Sequence, residues 1–223
     1  FGDKSMNKRD FSRVIEPLQK FGAKFNSNKN NNLPLSIMGS KLARPISYIE
    51  KKGSAQCKSS VMLAALNTVG TTYIKARKSR NHTELLFKFL KIPIKIKKTK
   101  NFDFIEIKGK NNIQSFDYRI PADISSSAFF IVLTALSDNS KLLIKNVNIN
   151  PSRTGVIKIL KNMGVKILIK NKKNYKGELI ADILVKSSTN LKAINCLPEI
   201  NSSAIDEFLI IFLVAAKAEG TSS

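Results

Sequence analysis

Apolar and polar positions recur along this chain in two arrangements. In the first, apolar residues spaced three and four apart across 11–21, 83–90 and 155–163 predict amphipathic helices. Each helix runs into a short stretch of alternating apolar and polar residues, at 22–25, 92–96 and 164–169. Gly22 and Gly164 stand where a helix stops by letting one residue turn left-handed. The alternation marks strands with one face on the core and one in water. A second strand follows each through a polar turn, at 33–38, 102–107 and 180–185.

The second arrangement is a serine pair leading a strongly apolar helix. Ser59-Ser60 precedes 61–66, Ser126-Ser127 precedes 128–136, and Ser202-Ser203 precedes 204–216. The serines read as N-caps, whose hydroxyl oxygens take orphan backbone N–H groups. Alternation of the two helix types gives a period on the order of 70 residues, as in a repeat architecture. The repeating unit reads as βαβαββ. An apolar helix among half-exposed strands predicts an α/β fold of the inside-out kind, with helices inside and sheets outside. The segment from Tyr118 to Asp123 breaks the pattern and reads as a crossover between two domains.

Composition adds little to the fold but narrows the function. The 223 residues are enough for one large domain or parts of two, and 43% hydrophobic content is that of a packed chain. The chain starts at Phe1, and 216–221 runs toward what reads as a further strand, so it is expected to be an internal piece of a longer protein. The net charge of +22 raises a nucleic-acid reading. Against it, lysines are scattered among Asn and Ile as AT-rich codons produce, and no Lys/Arg run is interleaved with aromatics. A solvated lysine-rich surface is the plainer reading. Cys57 and Cys196 are far apart, and His82 is the single histidine, which excludes a conventional zinc site and argues against a disulfide framework. A reduced, cytoplasmic setting fits, and the longest apolar run, 208–216, is too short for a membrane span.

The candidate chemistry starts at Ser54-Ala55-Gln56-Cys57-Lys58-Ser59-Ser60, directly ahead of the apolar run at 61–66. Small residues, an amide and a cation at a helix start suit a phosphate or carboxylate, because backbone N–H groups and the positive dipole end converge there. Three other polar clusters fit the same logic: Lys8-Arg9, residues 80–84 (Arg-Asn-His-Thr-Glu) and Ile205-Asp206-Glu207. Taken alone, Arg9 and Arg80 default to surface residues, Asp206 to a helix cap, and Lys8 and Lys58 to cations that steer anions.

Together with 2–9, 123–129 and 150–155, these clusters occur in an order that resembles the 5-enolpyruvylshikimate-3-phosphate synthases, in their bacterial class II branch. The resemblance runs along essentially the whole chain. It implies two similar domains, each of three βαβαββ units with helices packed inward, and an active site between them. Residues 1–120 then form the later part of the first domain and 121–223 the opening of the second. Other family loops lie before Phe1 and after Ser223, so this chain alone is not expected to catalyse.

The implied reaction moves the enolpyruvyl group of phosphoenolpyruvate to the 5-hydroxyl of shikimate 3-phosphate and releases phosphate. It needs no metal or organic cofactor, nucleic acid or membrane, and the complete enzyme would be a monomer. Asp206 matches the carboxylate that meets the 5-hydroxyl and accepts its proton. Ser54 and Ala55 match the pair on the shikimate phosphate, and Arg80 matches a class II arginine on the same group. Gln56 matches an amide shared by both substrates, and Arg9 matches the arginine that grips phosphoenolpyruvate. His82 is a helix-start residue in this scheme. Asp123 is a secondary polar contact and Arg153 a structural one. Cys57 stands where the family has an aliphatic residue and packs as a small hydrophobe. Asp10 replaces a common proline, which leaves the backbone after Arg9 open. The UDP-N-acetylglucosamine enolpyruvyl transferases share this chemistry but lack the Ser-Ala-Gln-x-Lys-Ser signature. A basic nucleic-acid-binding protein is the rival from another class.

Overall fold

Residues 2–28, 30–110 and 112–223 are described by the structure, a computed structural model. The chain divides into two compact units, Phe1–Ser115 and Phe116–Ser223.

The first unit opens with α1 (Ser12–Lys20) and the antiparallel pair β1 (Lys24–Asn26) and β2 (Ser36–Met38). A complete βαβαββ set follows: β3 (Ser47–Glu50), α2 (Ala55–Leu66), β4 (Thr71–Arg77), α3 (His82–Phe89), β5 (Ile94–Lys98) and β6 (Phe102–Lys108). Its sheet runs in the order β3-β4-β6-β5, with β3 parallel to β4 and the other pairs antiparallel. Alternation sends Ile74, Ala76, Ile105 and Ile107 inward against Val61, Met62 and Ala65 of α2, with Phe87 of α3 in the same core. That one-sided burial is the hydrophobic term that ties helix to sheet.

The outward face of this sheet carries what a search along the sequence does not find. Lys75 lies between the rings of Phe102 (4.8 Å) and Phe104 (5.7 Å), and cross-strand register sets Lys97 beside Phe104 on the far strand. Cations and aromatics are therefore interleaved across strands rather than along one. An open cavity of about 500 Å³ on this face is lined by Tyr73, Lys75, Lys95, Phe104 and Glu106 among others, and by none of the candidate site residues.

The second unit repeats the plan. A single parallel bridge from Ala122 to Val147 stands for its first strand. Then come α4 (Ile124–Leu136), β7 (Lys141–Asn148), α5 (Gly155–Asn162), β8 (Lys166–Tyr175) and β9 (Glu178–Lys186), with the sheet ordered β7-β9-β8. Lys176 and Gly177, both at positive φ, close the β8–β9 hairpin as the two-residue turn requires. A short helix α6 (Asn201–Ala204) and α7 (Phe208–Ala215) complete the unit. Phe129, Phe130 and Leu133 of α4, and Leu209, Phe212 and Leu213 of α7, are each more than half exposed. An inside-out fold expects apolar faces of this kind on its helices, which lie on the enclosed side.

Both glycine stops are present. Gly22 (φ 105°) and Gly164 (φ 96°) follow α1 and α5, and the residue after each donates its N–H back to Leu18 and Leu160 respectively. The serine pairs depart from expectation. Helix α2 begins at Ala55, six residues ahead of the expected 61, and α4 at Ile124, four ahead of 128; they are capped by Ser54 and Asp123, whose side chains accept from the N–H groups of Cys57 and Ser126. Ser60 and Ser127 lie inside the helix and donate to the carbonyls of Cys57 and Asp123, the alternative open to a short hydroxyl in a first turn. The expected helix over 204–216 is also interrupted. Turn residues 205–207 separate α6 from α7, and Ser203 donates to the Ile200 carbonyl rather than capping.

Candidate active site

In the first unit, three helices start side by side. Ser54 has extended backbone at the N-cap of α2, and its Oγ accepts the Cys57 N–H at 3.2 Å. The hydroxyl proton of Ser54 remains available to an anion. Helix geometry leaves the N–H groups of Ala55 and Gln56 without intrahelical acceptors. Ahead of the cap, buried Glu50 accepts the N–H groups of Lys52 (2.9 Å) and Gly53 (2.7 Å), which shapes the loop into the helix. Gln56 Oε1 accepts from Arg13 of α1 at 3.4 Å, and Ser59 meets Thr83 of α3 at 2.6 Å.

Lys58 joins α2 to α3. It is fully buried, pairs with Glu84 at 2.5 Å and donates to the Arg80 carbonyl at 2.9 Å. The expectation that Lys58 steers anions is therefore corrected: its charge is consumed by Glu84, and it acts as a strut that fixes the backbone of Arg80. The sequence shows that Ser54-Ala55-Gln56 and Arg80 belong to separate helix starts, and the buried pair brings those starts together. His82 is the first residue of α3, and Cys57 is buried, both as expected.

Arg9 is exposed and lies at the end of a short 3-10 turn, three residues ahead of Ser12, where α1 begins. Asp10, in place of the usual proline, accepts both the N–H (2.8 Å) and Oγ (2.5 Å) of Ser12. Those hydrogen bonds, the side-chain one first, hold its carboxyl below the ordinary carboxylate range. The backbone left open after Arg9 is thus closed by a local turn at the helix start. Burial first, with Cys57, Glu50 and Glu16 adding to it, pushes the Tyr48 phenol up to about 12 and keeps it neutral near pH 7.

In the second unit, helix starts converge again, with acids where the first unit has a hydroxyl, an amide and arginines. Asp123 caps α4 and accepts from Arg153 at 2.9 Å. Burial raises its pKa, but the hydrogen bonds from Ser126 and the charge of Arg153 outweigh it, so the net direction is downward. Arg153 Nη2 also donates to Ser125 Oγ at 2.6 Å, and that hydroxyl donates to Glu207. Glu207 is 4% exposed and sits at the N-cap position of α7. Asp206, its neighbour in the interrupting turn, faces outward and is exposed. The structural reading of Arg153 holds, and Asp123 is a cap and ion-pair partner. Sequence reasoning missed Arg13, Glu50 and the inward role of Glu207. Only a partner 43 residues away distinguishes Arg13, and one 82 residues away distinguishes Glu207.

The sequence profile of the EPSP synthase (3-phosphoshikimate 1-carboxyvinyltransferase) family matches residues 1–223. The chain belongs to that family. A 3-phosphoshikimate 1-carboxyvinyltransferase of Petrotoga mobilis is 41% identical across 100% of this chain and 51% of its own length. The same enzyme of Bacillus subtilis is 40% identical across 99% of this chain and 51% of its own. Among solved structures, EPSP synthase from Acinetobacter baumannii superposes with a TM-score of 0.85 at 36% identity, covering 100% of this chain and 50% of that one. The enolpyruvyl transferase NikO from Streptomyces tendae reaches 0.68 at 13% identity, covering 96% of this chain and 51% of that one, a likeness of fold alone. The chain thus spans about half the length of the EPSP synthases it matches. Among the described residues, no helix is long and apolar enough to cross a membrane.

Proposed function

We propose that the whole protein transfers the enolpyruvyl group of phosphoenolpyruvate to the 5-hydroxyl of shikimate 3-phosphate, with release of phosphate. The observation that carries this reading is the convergence of Ser54, Ala55, Gln56 and Arg80 at adjoining helix starts, on the signature that resembles the family's phosphate-binding segment. The Ser54 hydroxyl and the Ala55 N–H take the shikimate phosphate, and the Arg80 guanidinium supplies a fork of donors to the same oxygens. Gln56, steadied by Arg13, lies between the two substrates. Arg9 takes the anionic end of phosphoenolpyruvate.

Asp206 accepts the proton of the 5-hydroxyl as that oxygen attacks. A carboxylate suits the task, because it accepts a hydrogen bond in the ground state and a proton at the transition state. Residues 1–120 belong to the later part of one domain and 121–223 to the opening of the next. The exposed apolar faces of α4 and α7 are those that the remaining units of such a domain would cover.

The test is phosphate release by the full-length protein with phosphoenolpyruvate, in the presence and absence of shikimate 3-phosphate. Release that requires both is expected. Release supported by UDP-N-acetylglucosamine instead, or none from a folded protein, overturns the assignment. The interleaved Lys75, Phe102 and Phe104 favour a second reading, in which single-stranded nucleic acid stacks on the outer sheet. The enzyme reading predicts only weak binding of mixed-sequence oligonucleotides, gone by about 0.15 M salt. Sequence-selective binding that survives such salt would favour the second reading.

A further inference from the structure

Two adjacent acids in the second unit point opposite ways. Asp206 is exposed, whereas Glu207 is buried and accepts the hydroxyl proton of Ser125, from the first turn of α4. That hydroxyl in turn accepts from Arg153, two residues ahead of α5, and Arg153 pairs with Asp123, the cap of α4. One continuous chain of charge-assisted hydrogen bonds therefore ties the starts of three helices to the turn that carries Asp206. The turn has little else in the way of regular structure. It interrupts an otherwise apolar helical stretch, and a short link of three residues separates α6 from α7.

We propose that Glu207, Ser125 and Arg153 form a positioning device that fixes the direction of the Asp206 carboxylate. This rests on the reading of Asp206 as proton acceptor. A proton acceptor must meet its hydroxyl within hydrogen-bond reach, and an error of about 1 Å costs on the order of a hundredfold in rate. Asp206 lies in a three-residue turn, so whatever anchors that turn sets where its carboxylate can reach. The buried acid next to it accepts the Ser125 hydroxyl, which joins it to a guanidinium across the unit. A hydroxyl between a cation and an anion is also polarised in one direction, so the bridge has a unique geometry. Packing reinforces it: a Cβ on Gly155 would lie 2.5 Å from Ser203 Oγ and 2.8 Å from the Ala204 Cβ, so α5 closes directly on the helix that leads into the turn.

The test uses the full-length protein as wild type and as Ser125→Ala, Ser125→Thr and Asp206→Ala. Alanine is the better helix former, so Ser125→Ala removes the bridge without weakening α4 through its helix propensity. Ser125→Ala is expected to lower kcat about tenfold to a hundredfold with KM for shikimate 3-phosphate within about threefold. Amide exchange at 205–208 is expected to rise about tenfold or more while the interior of α4 stays protected. Ser125→Thr, which keeps the hydroxyl, is expected to restore both. Unchanged exchange at 205–208 in Ser125→Ala overturns the anchor whatever the activity. Faster exchange with normal kcat, in an enzyme that Asp206→Ala inactivates, overturns the positioning role. Normal turnover in Asp206→Ala brings down the proton-acceptor reading and the positioning role with it, and the exchange data still decide whether the anchor exists.

Discussion

The two units solve the same structural problem with opposite chemistry. Each gathers helix starts at one place, and each crosslinks them through a buried or half-buried ionic contact. In the first unit Lys58 and Glu84 neutralise one another inside, which leaves the outer surface to N–H groups, the Ser54 hydroxyl and arginines. In the second, Arg153 is turned inward to Asp123 and Ser125, and the outward group is a carboxylate, Asp206. A helix start favours negative charge in both places. On the reading proposed above, the favoured anion in the first unit comes from a ligand, whereas in the second the protein supplies a carboxylate of its own. The repeat sets the geometry, and a handful of side chains sets the charge that each helix crown presents.

The largest effect expected from breaking this contrast is at Asp206. Asp206→Ala is expected to reduce turnover of the whole enzyme by two or more orders of magnitude, with the thermal midpoint within a few degrees of wild type. Steady-state kinetics beside a melting curve checks both. Next is Glu84→Ala, which strands the buried charge of Lys58 and is expected to destabilise the fold by about 3–5 kcal/mol in denaturant titration. A loss under about 1 kcal/mol would mean that the pair is not the strut described. Arg9→Ala is expected to raise the apparent KM for phosphoenolpyruvate about tenfold to a hundredfold, since it removes a charge-assisted contact. An unchanged KM would take Arg9 out of the site.

The smallest effect is in pH. The folded pKa of Asp123 lies below its ordinary value of 3.8, so its ionised form favours the fold. That contribution is complete above the unfolded pKa and is lost as pH falls through the folded one. The advantage of wild type over Asp123→Asn in thermal midpoint is therefore expected to shrink below about pH 4. An advantage that does not change with pH would show that the ionised cap is not what stabilises α4.

Much of this was legible in the sequence because it is local. The 3.6-residue and two-residue periods mark most of the helices and strands, and Gly22 and Gly164 mark their stops. The starts of α2 and α4 lie six and four residues ahead of the serine-capped ones expected, since a serine pair looks the same whether it caps or bonds back to a preceding carbonyl, and the caps are Ser54 and Asp123. Lys58 read as a cation that steers anions because its partner lies on another helix, and Glu207 was given no role of its own because its partner is 82 residues away. The interleaving of Lys75 with Phe102 and Phe104 exists only across strands and cannot be found along one. Candidate residues were thus recognisable by motif, while the struts that hold them emerge only from long-range packing.

The contrast between the two helix crowns is tested most directly by titrating full-length Arg80→Ala and Asp206→Ala side by side with shikimate 3-phosphate in a calorimeter. Arg80→Ala is expected to weaken binding about tenfold or more, as loss of a charge-assisted phosphate contact does, while Asp206→Ala loses less than that although its turnover collapses. Equal losses in the two variants, or a loss confined to Asp206→Ala, would contradict the division between a unit that receives the anion and a unit that provides the base.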